Sequence, residues 1–505
     1  MSWNIRLRLS PAPFLLLLAS VTASLIVPKP APSQEVTATI TGTVTDPTGA
    51  AVSGAKVTAT DVQRGVPYST QTNTAGVYDL PRLPVSTYDI SVEMTGFQTI
   101  VQKGIVLELN QTARVDLKLQ LGAVTQTVEV TAAPPLLSTD AMQVGTIINS
   151  KINQDLPLAT RNYVELTLLA PGVTNPNPSG FTNGQPVANG ARPYVNGNRE
   201  QSDNFLLDGM DNNQVSDNLV GYTPSVDAIQ EFNLITNNAP ADFGNFQGGI
   251  VSATIKSGTN QLHGSGFEFI RNDVLNAAQW SDNIAKAPGS PDTKAKIRWN
   301  MFGGSMGGPI KKDKLFFFGD YQGERFDTPA HTSFINVFTT KERAGDFSEI
   351  CSAFDSTGKC TNGIQLYNPK QVDANGNRAL VPYNNLAAAG LTIDPVAQSL
   401  FSQSYYPAPI SSGLKNNQLN TSGGETVADQ FDIKIDANAS EKDRVFGRFS
   451  WGRQEIPGYN SFLLFMNSFQ HTPTDNVALN WTRSINPSPY QAISECNFRV
   501  SRQAI

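Results

Sequence analysis

The sequence is poor in charge, in histidine and in long apolar runs. Only 16% of its 505 residues are charged, and it has 3 histidines and 3 cysteines. After the N-terminus no apolar run approaches the about 18 residues of a membrane-spanning helix, so any membrane crossing would have to use strands. The net charge of −6 and the lack of a clustered basic surface argue against a nucleic-acid partner, because phosphate neutralisation needs such a surface.

The few histidines also argue against a zinc hydrolase. His263, His331 and His471 stand far apart, outside the spacing that places two zinc ligands and a base on one helix. The glycine-rich run from Gly303 to Gly308 lies in a strand context, where small residues let chains pack closely. We therefore predict that the protein is not an enzyme, binds no metal and carries no cofactor.

One acidic stretch is dense in the hard oxygen ligands that calcium prefers. Its spacing fits no calcium loop, and turn-forming side chains explain it better. The residues concerned are Asp203, Asp208, Asp211, Asn212, Asn213 and Asp217.

The N-terminus has the form of a secretory signal. Arg6 and Arg8 precede an apolar stretch from Phe14 to Val27, and small residues follow. Cleavage after Ala23 and after Ser33 both fit the pattern, and an uncleaved anchor is the alternative. We expect residues 1–33 to be a signal peptide.

Export to an oxidising compartment favours a disulfide. Cys351 and Cys360 lie in one polar stretch with two glycines, which suits a small disulfide-closed loop. Cys496 has no evident partner. Metal binding by the first pair is disfavoured because no histidine or third cysteine lies nearby.

Residues 36–120 alternate short β-branched runs with turn signals, which predicts a β-sandwich. The runs ITGTVTDPTGAAVSGAKVTAT and TNTAGVYDLPRLPVSTYDISVEMTGFQT, with the closing VDLKLQL, resemble carboxypeptidase-regulatory-like modules of the transthyretin type. That family name denotes a fold rather than peptidase activity. The resemblance implies a rigid spacer or an adhesive unit, and some relatives bind carbohydrate.

Residues 121–138 are predicted to be a linker, in which a short strand-like run ends at Pro134-Pro135. Its centre resembles the TonB box of energised outer-membrane receptors, an extended segment that pairs with the periplasmic TonB protein through backbone hydrogen bonds. A last strand of the sandwich and an ordinary linker remain the alternatives. The residues of the candidate box are Thr127, Val128, Glu129, Val130, Thr131 and Ala132.

Residues 139–260 have a mixed α/β texture with many Asn and Gly residues. Apolar positions from Leu156 to Leu169 predict a short helix that ends at Pro171-Gly172. The run YVNGNREQSDNFLLDGMDNN, the helix-to-strand element from Val226 to Ile235 and the run KSGTN resemble the plug domain of TonB-dependent receptors. Within that superfamily these runs most resemble the Oar-like branch.

From residue 261 onward a two-residue period dominates. In the run Phe431 to Asp436 apolar and charged residues alternate strictly, as in a barrel strand with one face to lipid and one to the lumen. The runs HGSGFEFIRND, FGGSMGGPIKKDKLFFFGDYQGERF and AGDFS resemble the opening of the Oar-like barrel. We therefore expect residues 261–505 to form part of an antiparallel transmembrane β-barrel.

The resemblance implies a mainly β protein of the outer membrane of a Gram-negative-type bacterium, with its sandwich in the periplasm. Its partners would be a TonB-type energy-coupling protein, outer-membrane lipid and an unknown extracellular ligand. The alternative is a surface adhesion or carbohydrate-binding protein anchored by the barrel. Receptors of this kind are expected to have about 22 strands of about 9–11 residues. We expect the present chain to be a truncated product.

Overall fold

The computed structural model describes sixteen stretches of the chain and shows a mainly β fold, which confirms the predicted class. The candidate signal peptide lies outside them. The described residues are 37–122, 127–130, 143–156, 158, 160–175, 192–214, 218–240, 243–244, 247–277, 297–327, 331–403, 406–422, 424–440, 442–457, 469–484 and 493–503. No helix within these stretches is long and apolar enough to span a membrane.

The first region is a β-sandwich. Its strands are β1 (Ala38–Thr45), β2 (Lys56–Asp61), β3 (Pro67–Gln71), β4 (Val77–Leu83), β5 (Ser86–Glu93), β6 (Thr99–Leu107), β7 (Thr112–Arg114), β8 (Leu117–Lys118) and β9 (Thr127–Val130). One sheet has the order β4-β1-β7, with β8 also paired to β1, and the other has the order β3-β2-β5-β6-β9.

Alternating burial along the strands explains why these two sheets stack. Strands β1 and β5 bury every second residue, so one face of each strand lies in the core. Tyr78 is buried, and its hydroxyl donates to the carbonyl oxygen of Val115 at 2.6 Å, which satisfies its polar end. A Cβ at Gly42 would lie 1.9 Å from that same oxygen, so only glycine fits there.

The second region contains a mixed sheet and short helices. Its elements are β10 (Val144–Asn149), α1 (Ser150–Asp155), β11 (Val173–Thr174), β12 (Tyr194–Val195), β13 (Asn204–Leu207), β14 (Met210–Asp211), β15 (Ile229–Asn237) and β16 (Ile250–Ile255), with 3₁₀ helices at Tyr163–Leu169, Glu200–Ser202 and Val226–Ala228. Strands β10-β15-β16-β13-β14 form what we call the inner sheet, in that order.

Two strands of the inner sheet, β13 and β16, are buried on both faces. All six residues of β16 are buried, and all four of β13 are too. The helix expected to end at Pro171-Gly172 is a 3₁₀ helix over Tyr163–Leu169, and α1 ends at Asp155, before the predicted apolar positions begin at Leu156. Tyr163 then packs edge-on against Phe232 of β15, with ring centroids 5.6 Å apart.

The third region is one long antiparallel sheet with a lobe inserted into it. Its elements are β17 (His263–Asn272), β18 (Arg298–Lys311), β19 (Leu315–Asp327), β20 (His331–Ile335), α2 (Thr340–Arg343), β21 (Cys351–Phe354), β22 (Cys360–Gly363), β23 (Tyr367–Val372), β24 (Arg378–Leu380), α3 (Pro395–Phe401), β25 (Gln418–Ser422), β26 (Glu425–Asn438), β27 (Asp443–Pro457), β28 (Phe469–Ser484) and β29 (Ile493–Gln503), with 3₁₀ helices at Asp273–Leu275, Ser348–Ile350, Pro382–Asn384 and Ala387–Ala389.

The long sheet, which we call the wall, has the order β17-β18-β19-β26-β27-β28-β29. Among the described residues its first and last strands do not pair with each other, so the wall is open. Its polarity is the reverse of a soluble protein's. Asp432 and Lys434 are buried, whereas Ile433 and Ile435 between and beside them are 48% and 43% exposed. This is the alternation of a barrel strand, with polar residues inside and apolar residues outside.

The lobe, residues 331–422, lies between β19 and β26 and has a small core of its own. Ile335, Val337 and Tyr406 are buried together there. Helix α2 begins with a capping box, in which the Thr339 hydroxyl accepts from the backbone of Glu342 and the Glu342 carboxylate accepts from the backbone of Thr339.

Candidate functional site

The inner sheet meets the wall at a buried carboxylate, Asp208. It lies in the tight turn between β13 and β14 with a left-handed backbone (φ 49°), which Asp tolerates better than most residues, and Gly209 follows it. One oxygen of Asp208 accepts from the backbone N–H of Ile255 on β16 at 3.0 Å. The turn therefore fixes this carboxylate at the edge of the inner sheet.

Two cations of the wall bind this carboxylate. Lys434 Nζ lies 3.0 Å from Asp208 Oδ1, and Arg448 Nη1 lies 2.9 Å from Asp208 Oδ2. All three side chains are at least nine-tenths buried. Lys434 also donates to the carbonyl of Ile255, and Arg448 donates to Asn476 Oδ1 at 3.1 Å. We call Asp208, Lys434 and Arg448 the charge clamp.

The clamp resolves a conflict within the wall. Lys434 of β26 and Arg448 of β27 are direct cross-strand partners. Two like charges opposite each other destabilise a sheet, and burial makes the repulsion worse. The carboxylate of Asp208 contacts both cations and offsets much of their repulsion. This part of the wall is therefore complementary to the inner sheet.

A second polar contact lies beside the clamp. Tyr222 of the second region donates its hydroxyl hydrogen to Asp432 Oδ2 of β26 at 2.9 Å. Asp432 also accepts a hydrogen bond from Ser450 of β27, and all three residues are fully buried. Asp432 is paired across strands with Asp320 of β19, which is buried too. The contact with the wall is thus polar over three adjacent strands.

Arg161 links the second region to the first wall strand. It forms an ion pair with Asp227 of the second region. Its guanidinium also lies 4.0 Å from the ring centroid of Phe269 and 5.0 Å from that of Phe267, both on β17. These are cation–π distances, so a charge again makes the contact.

The inner sheet meets the sandwich through fewer and mostly uncharged groups. Glu231 of β15 accepts from the backbone N–H of Leu109 at 3.0 Å, and Asn233 donates to the carbonyl of Leu109 at 3.2 Å. Gln143 donates to the carbonyl of Asn110 at 2.8 Å. Burial raises the pKa of Glu231 to about 8, against the lowering effect of the Leu109 N–H.

The sandwich also touches the wall directly. The Arg444 guanidinium of β27 lies 3.6 Å from the ring centroid of Tyr68. Just before the first wall strand, the backbone N–H of Asn260 donates to the carbonyl of Gln63 at 3.1 Å. A cavity of about 170 Å³ lies where sandwich, inner sheet and wall meet, and Tyr68, Asp208 and Lys434 are among its lining residues.

The candidate TonB box coincides in part with a strand of the sandwich. Thr127, Val128, Glu129 and Val130 form β9, which pairs in parallel with β6. Thr131 and Ala132 lie outside the described residues. Pairing of the sandwich thus continues beyond residue 120, where the predicted linker begins, and the assignment of a TonB box stays a prediction.

The cysteine pair lies in the lobe. Cys351 and Cys360 form a disulfide with Cα atoms 5.9 Å apart, joining β21 to β22. In the turn between them Asp355 accepts from the backbone N–H groups of Thr357 and Lys359. The bond therefore closes one short hairpin.

The remaining acidic and histidine residues are not assembled into a metal site. Among the described residues no three His, Cys, Asp or Glu side chains come together so as to hold a metal. Asp203 is buried and accepts from the backbone N–H of Gly249 at 2.7 Å, and burial raises its pKa to about 7. Asp211 and Asn213 bond to each other in a turn. Asp217 and the side chain of His331 lie outside the described residues.

Ser305 lies in the sequence pattern G-x-S-x-G, which can mark a nucleophile. The structure places it in the middle of β18, where its hydroxyl bonds to that of Ser265 at 2.9 Å. A nucleophile elbow needs a sharp turn between strand and helix, so this pattern has no catalytic meaning here.

Comparison with known proteins identifies the relatives. Residues 254–503 match the family described as "Outer membrane beta barrel domain", and residues 39–120 match "Carboxypeptidase regulatory-like domain". The chain is 27% identical over 303 residues to the TonB-dependent transporter Oar of Myxococcus xanthus. The chain is a homologue of TonB-dependent transporters. Its location is the outer membrane, as predicted.

The alignment with Oar covers 58% of this chain and 27% of the relative, so the chain spans only part of the length of that transporter. Solved structures resemble this chain more weakly. The outer membrane transporter YddB from Escherichia coli has a TM-score of 0.39 at 13% identity, covering 68% of this chain and 37% of YddB. The siderophore receptor PirA from Pseudomonas aeruginosa has a TM-score of 0.37 at 11% identity, covering 72% and 42%. Likeness at this level adds nothing to the assignment.

Sequence reasoning missed the partners in the charge clamp, although it noticed the separate pieces. Asp208-Gly209 lies in the run that resembles a plug domain, and the alternation from Phe431 to Asp436 indicated that Lys434 lies on one face of a barrel strand. The missing information was the pairing itself. Two basic residues at the same depth on neighbouring inner faces are a signal that a buried anion is needed between them.

Proposed function

We propose that this protein takes up an extracellular ligand across the outer membrane with energy supplied by a TonB-type protein. In this proposal residues 139–260 are the plug, residues 261–505 contribute to the barrel, and the sandwich of residues 36–120 lies in the periplasm. The observation that carries the proposal is the charge clamp, by which the polar face of the wall binds the inner sheet. The sequence similarity to Oar supports the same reading.

The chemistry of the clamp suits a contact that opens and closes. Separating two apolar surfaces in water exposes hydrocarbon to solvent, and no new interaction offsets the free-energy cost of that exposure. Separating Asp208 from Lys434 and Arg448 instead admits water, which solvates all three ions and offsets much of the lost attraction. Buried ion pairs therefore hold the plug in place while the interface excludes water, and they release it when water enters.

The opposite face of the wall suits lipid. Ile433 and Ile435 of β26, with Phe449 of β27 and Leu479 of β28, are each between 38% and 48% exposed on the side away from the inner sheet. An apolar outer face of this kind is what a barrel presents to hydrocarbon. Outer-membrane lipid is thus the proposed surrounding of the wall.

Energy would enter through residues 127–132, the segment that resembles a TonB box. It includes β9, the last strand of the sandwich, and precedes the inner sheet in the chain, so a pull on it would be transmitted along the backbone to β10. The backbone of an extended segment supplies the hydrogen bonds that β-augmentation needs. We propose this segment as the contact for the energy-coupling protein.

Deletion of residues 127–132 tests this assignment. The full chain and the deletion variant would be recovered from outer membranes and mixed with the periplasmic domain of the host's TonB-type protein in a pull-down. We expect the deletion to abolish capture. The matched control deletes residues 372–377, six residues at the exposed hairpin between β23 and β24, and should leave capture intact. Undiminished capture by the first deletion would refute the proposed contact.

A further inference from the structure

We infer that the sandwich presents strand β9 to an extended segment of the energy-coupling protein, with β6 holding one edge of β9 and the other edge serving as the docking surface. This inference rests on the proposed function, since it takes a TonB-type protein as the partner. It adds that the sandwich is part of the binding site and not merely a spacer. The opposite arrangement, in which β6 hides the strand until it is released, makes a contrary prediction.

The pairing with β6 is short and regular. Thr127 to Val130 pair in parallel with Thr99 to Gln102, residue for residue. On the solvent side Lys103 Nζ donates to Glu129 Oε1 at 2.9 Å, which anchors the strand next to its pairing. Both of these side chains are substantially exposed, at 41% and 56%. The strand is thus held in a β conformation at the surface of the sandwich.

Among the described strands, β9 lies at the end of its sheet. In the order β3-β2-β5-β6-β9 no described strand follows β9. Successive residues of a strand direct their backbone groups to opposite edges, so the pairing with β6 leaves alternate N–H and C=O groups of β9 directed outward. Open backbone groups in a row are the template on which an added strand pairs.

The chemistry of this edge selects an extended peptide segment as its occupant. Val128 and Val130 are half-buried on one face of the strand, and Glu129 is exposed on the other. The surface therefore offers backbone hydrogen bonds and little side-chain recognition, which is the mode of β-augmentation. A partner that binds a preformed strand avoids the entropic cost of ordering it, so presentation should strengthen binding.

A reversible lock distinguishes presentation from hiding. Val101 and Glu129 are direct partners in the β6–β9 register, so Val101→Cys with Glu129→Cys would tie β9 to β6 through a disulfide. The full chain carrying both changes, in a Cys496→Ser background, would be titrated with the periplasmic domain of the TonB-type protein while oxidised and while reduced. We expect the dissociation constants of the two forms to agree within about twofold, because the docking edge stays open.

The result that overturns the inference is loss of binding in the oxidised form with recovery on reduction, since it would mean that β9 must leave β6. The Cys496→Ser parent, measured both ways, controls for reduction of the native disulfide in the lobe. Failure of the proposed function gives a different pattern, in which deletion of residues 127–132 leaves binding unchanged.

A free peptide with the sequence of residues 124–133 supplies the second measurement. If the sandwich presents the strand, the peptide should bind the same domain at least about tenfold more weakly than the full chain does. Equal affinities of peptide and chain would contradict the inference, because they would leave the sandwich no part in binding.

Discussion

The inner sheet contacts its two neighbours by different means. Against the wall it places a buried carboxylate, Asp208, between two cations, and the hydroxyl of Tyr222 on a second buried carboxylate. Against the sandwich it makes hydrogen bonds to one loop, chiefly at Leu109. The first interface depends on buried ion pairs, in which one carboxylate contacts two cations, and the second depends on a few backbone contacts.

This difference indicates which contact sets the position of the inner sheet. A buried ion pair contributes little net stability compared with apolar packing, but removing one partner is costly because a charge is left alone. The wall interface therefore specifies one position of the inner sheet. The sandwich interface can be weakened at a much smaller cost.

The largest effect is expected from Asp208→Ala. It leaves Lys434 and Arg448 buried next to each other without an anion, and such a loss typically costs about 3–5 kcal/mol. We expect the inner sheet of this variant to become sensitive to protease in purified protein at concentrations that spare the wild type. Asp155→Ala, which removes an exposed aspartate of the same region, should behave as the wild type. Equal resistance of both variants would mean that the clamp does not hold the sheet.

An intermediate effect is expected from Tyr222→Phe. The substitution keeps the ring and removes one hydrogen bond to the buried Asp432, a loss of about 1–3 kcal/mol. In a denaturant titration that uses protease sensitivity of the inner sheet as its readout, the denaturant midpoint should lie between those of the wild type and Asp208→Ala. Tyr367→Phe, on an exposed ring of the lobe, is the control. A midpoint at the wild-type value would show that this hydroxyl contributes nothing to the wall contact.

At pH 5 the smallest effect is expected at the sandwich interface, and this effect grows as the pH rises. Burial raises the pKa of Glu231 from 4.5 to about 8. Between these values the unfolded state binds fewer protons than the folded state, so the free energy of unfolding falls as the pH rises through this window. In Glu231→Gln this contribution is absent, while the Leu109 N–H still has an acceptor.

Thermal unfolding at pH 5 and pH 8 measures this dependence. The decrease in stability between the two values should be smaller in Glu231→Gln than in the wild type. Burial also raises the pKa of Asp203, from 3.8 to about 7. Its contribution has the same sign, so part of the decrease in stability remains in Glu231→Gln. Glu93→Gln, on an exposed side chain of β5, should show the wild-type difference. An unaltered decrease in Glu231→Gln would contradict the assignment.

The sequence predicted the fold and the two faces of the strands better than it predicted which side chains pair with each other. The alternation in Phe431 to Asp436 correctly indicated a barrel strand, because a period of two is a local property. The pairing of Asp208 with Lys434 joins residues 226 positions apart, and no local pattern carries that information. The parallel pairing of β9 was likewise undetermined, because four β-forming residues suit a linker, a TonB box and an edge strand equally well.

Thiol labelling of Ser450→Cys tests the account most directly. Ser450 is fully buried between wall and inner sheet and contacts Asp432. In cells of the host bacterium, in a Cys496→Ser background, we expect a small membrane-impermeant thiol reagent to label this position when the TonB-type protein and the proton gradient are present and not when either is removed. Ser411→Cys, exposed on the lobe, should be labelled in every case. If Ser450→Cys is labelled to the same extent with and without the energy-coupling protein, that protein does not release the inner sheet from the wall, and the account is contradicted.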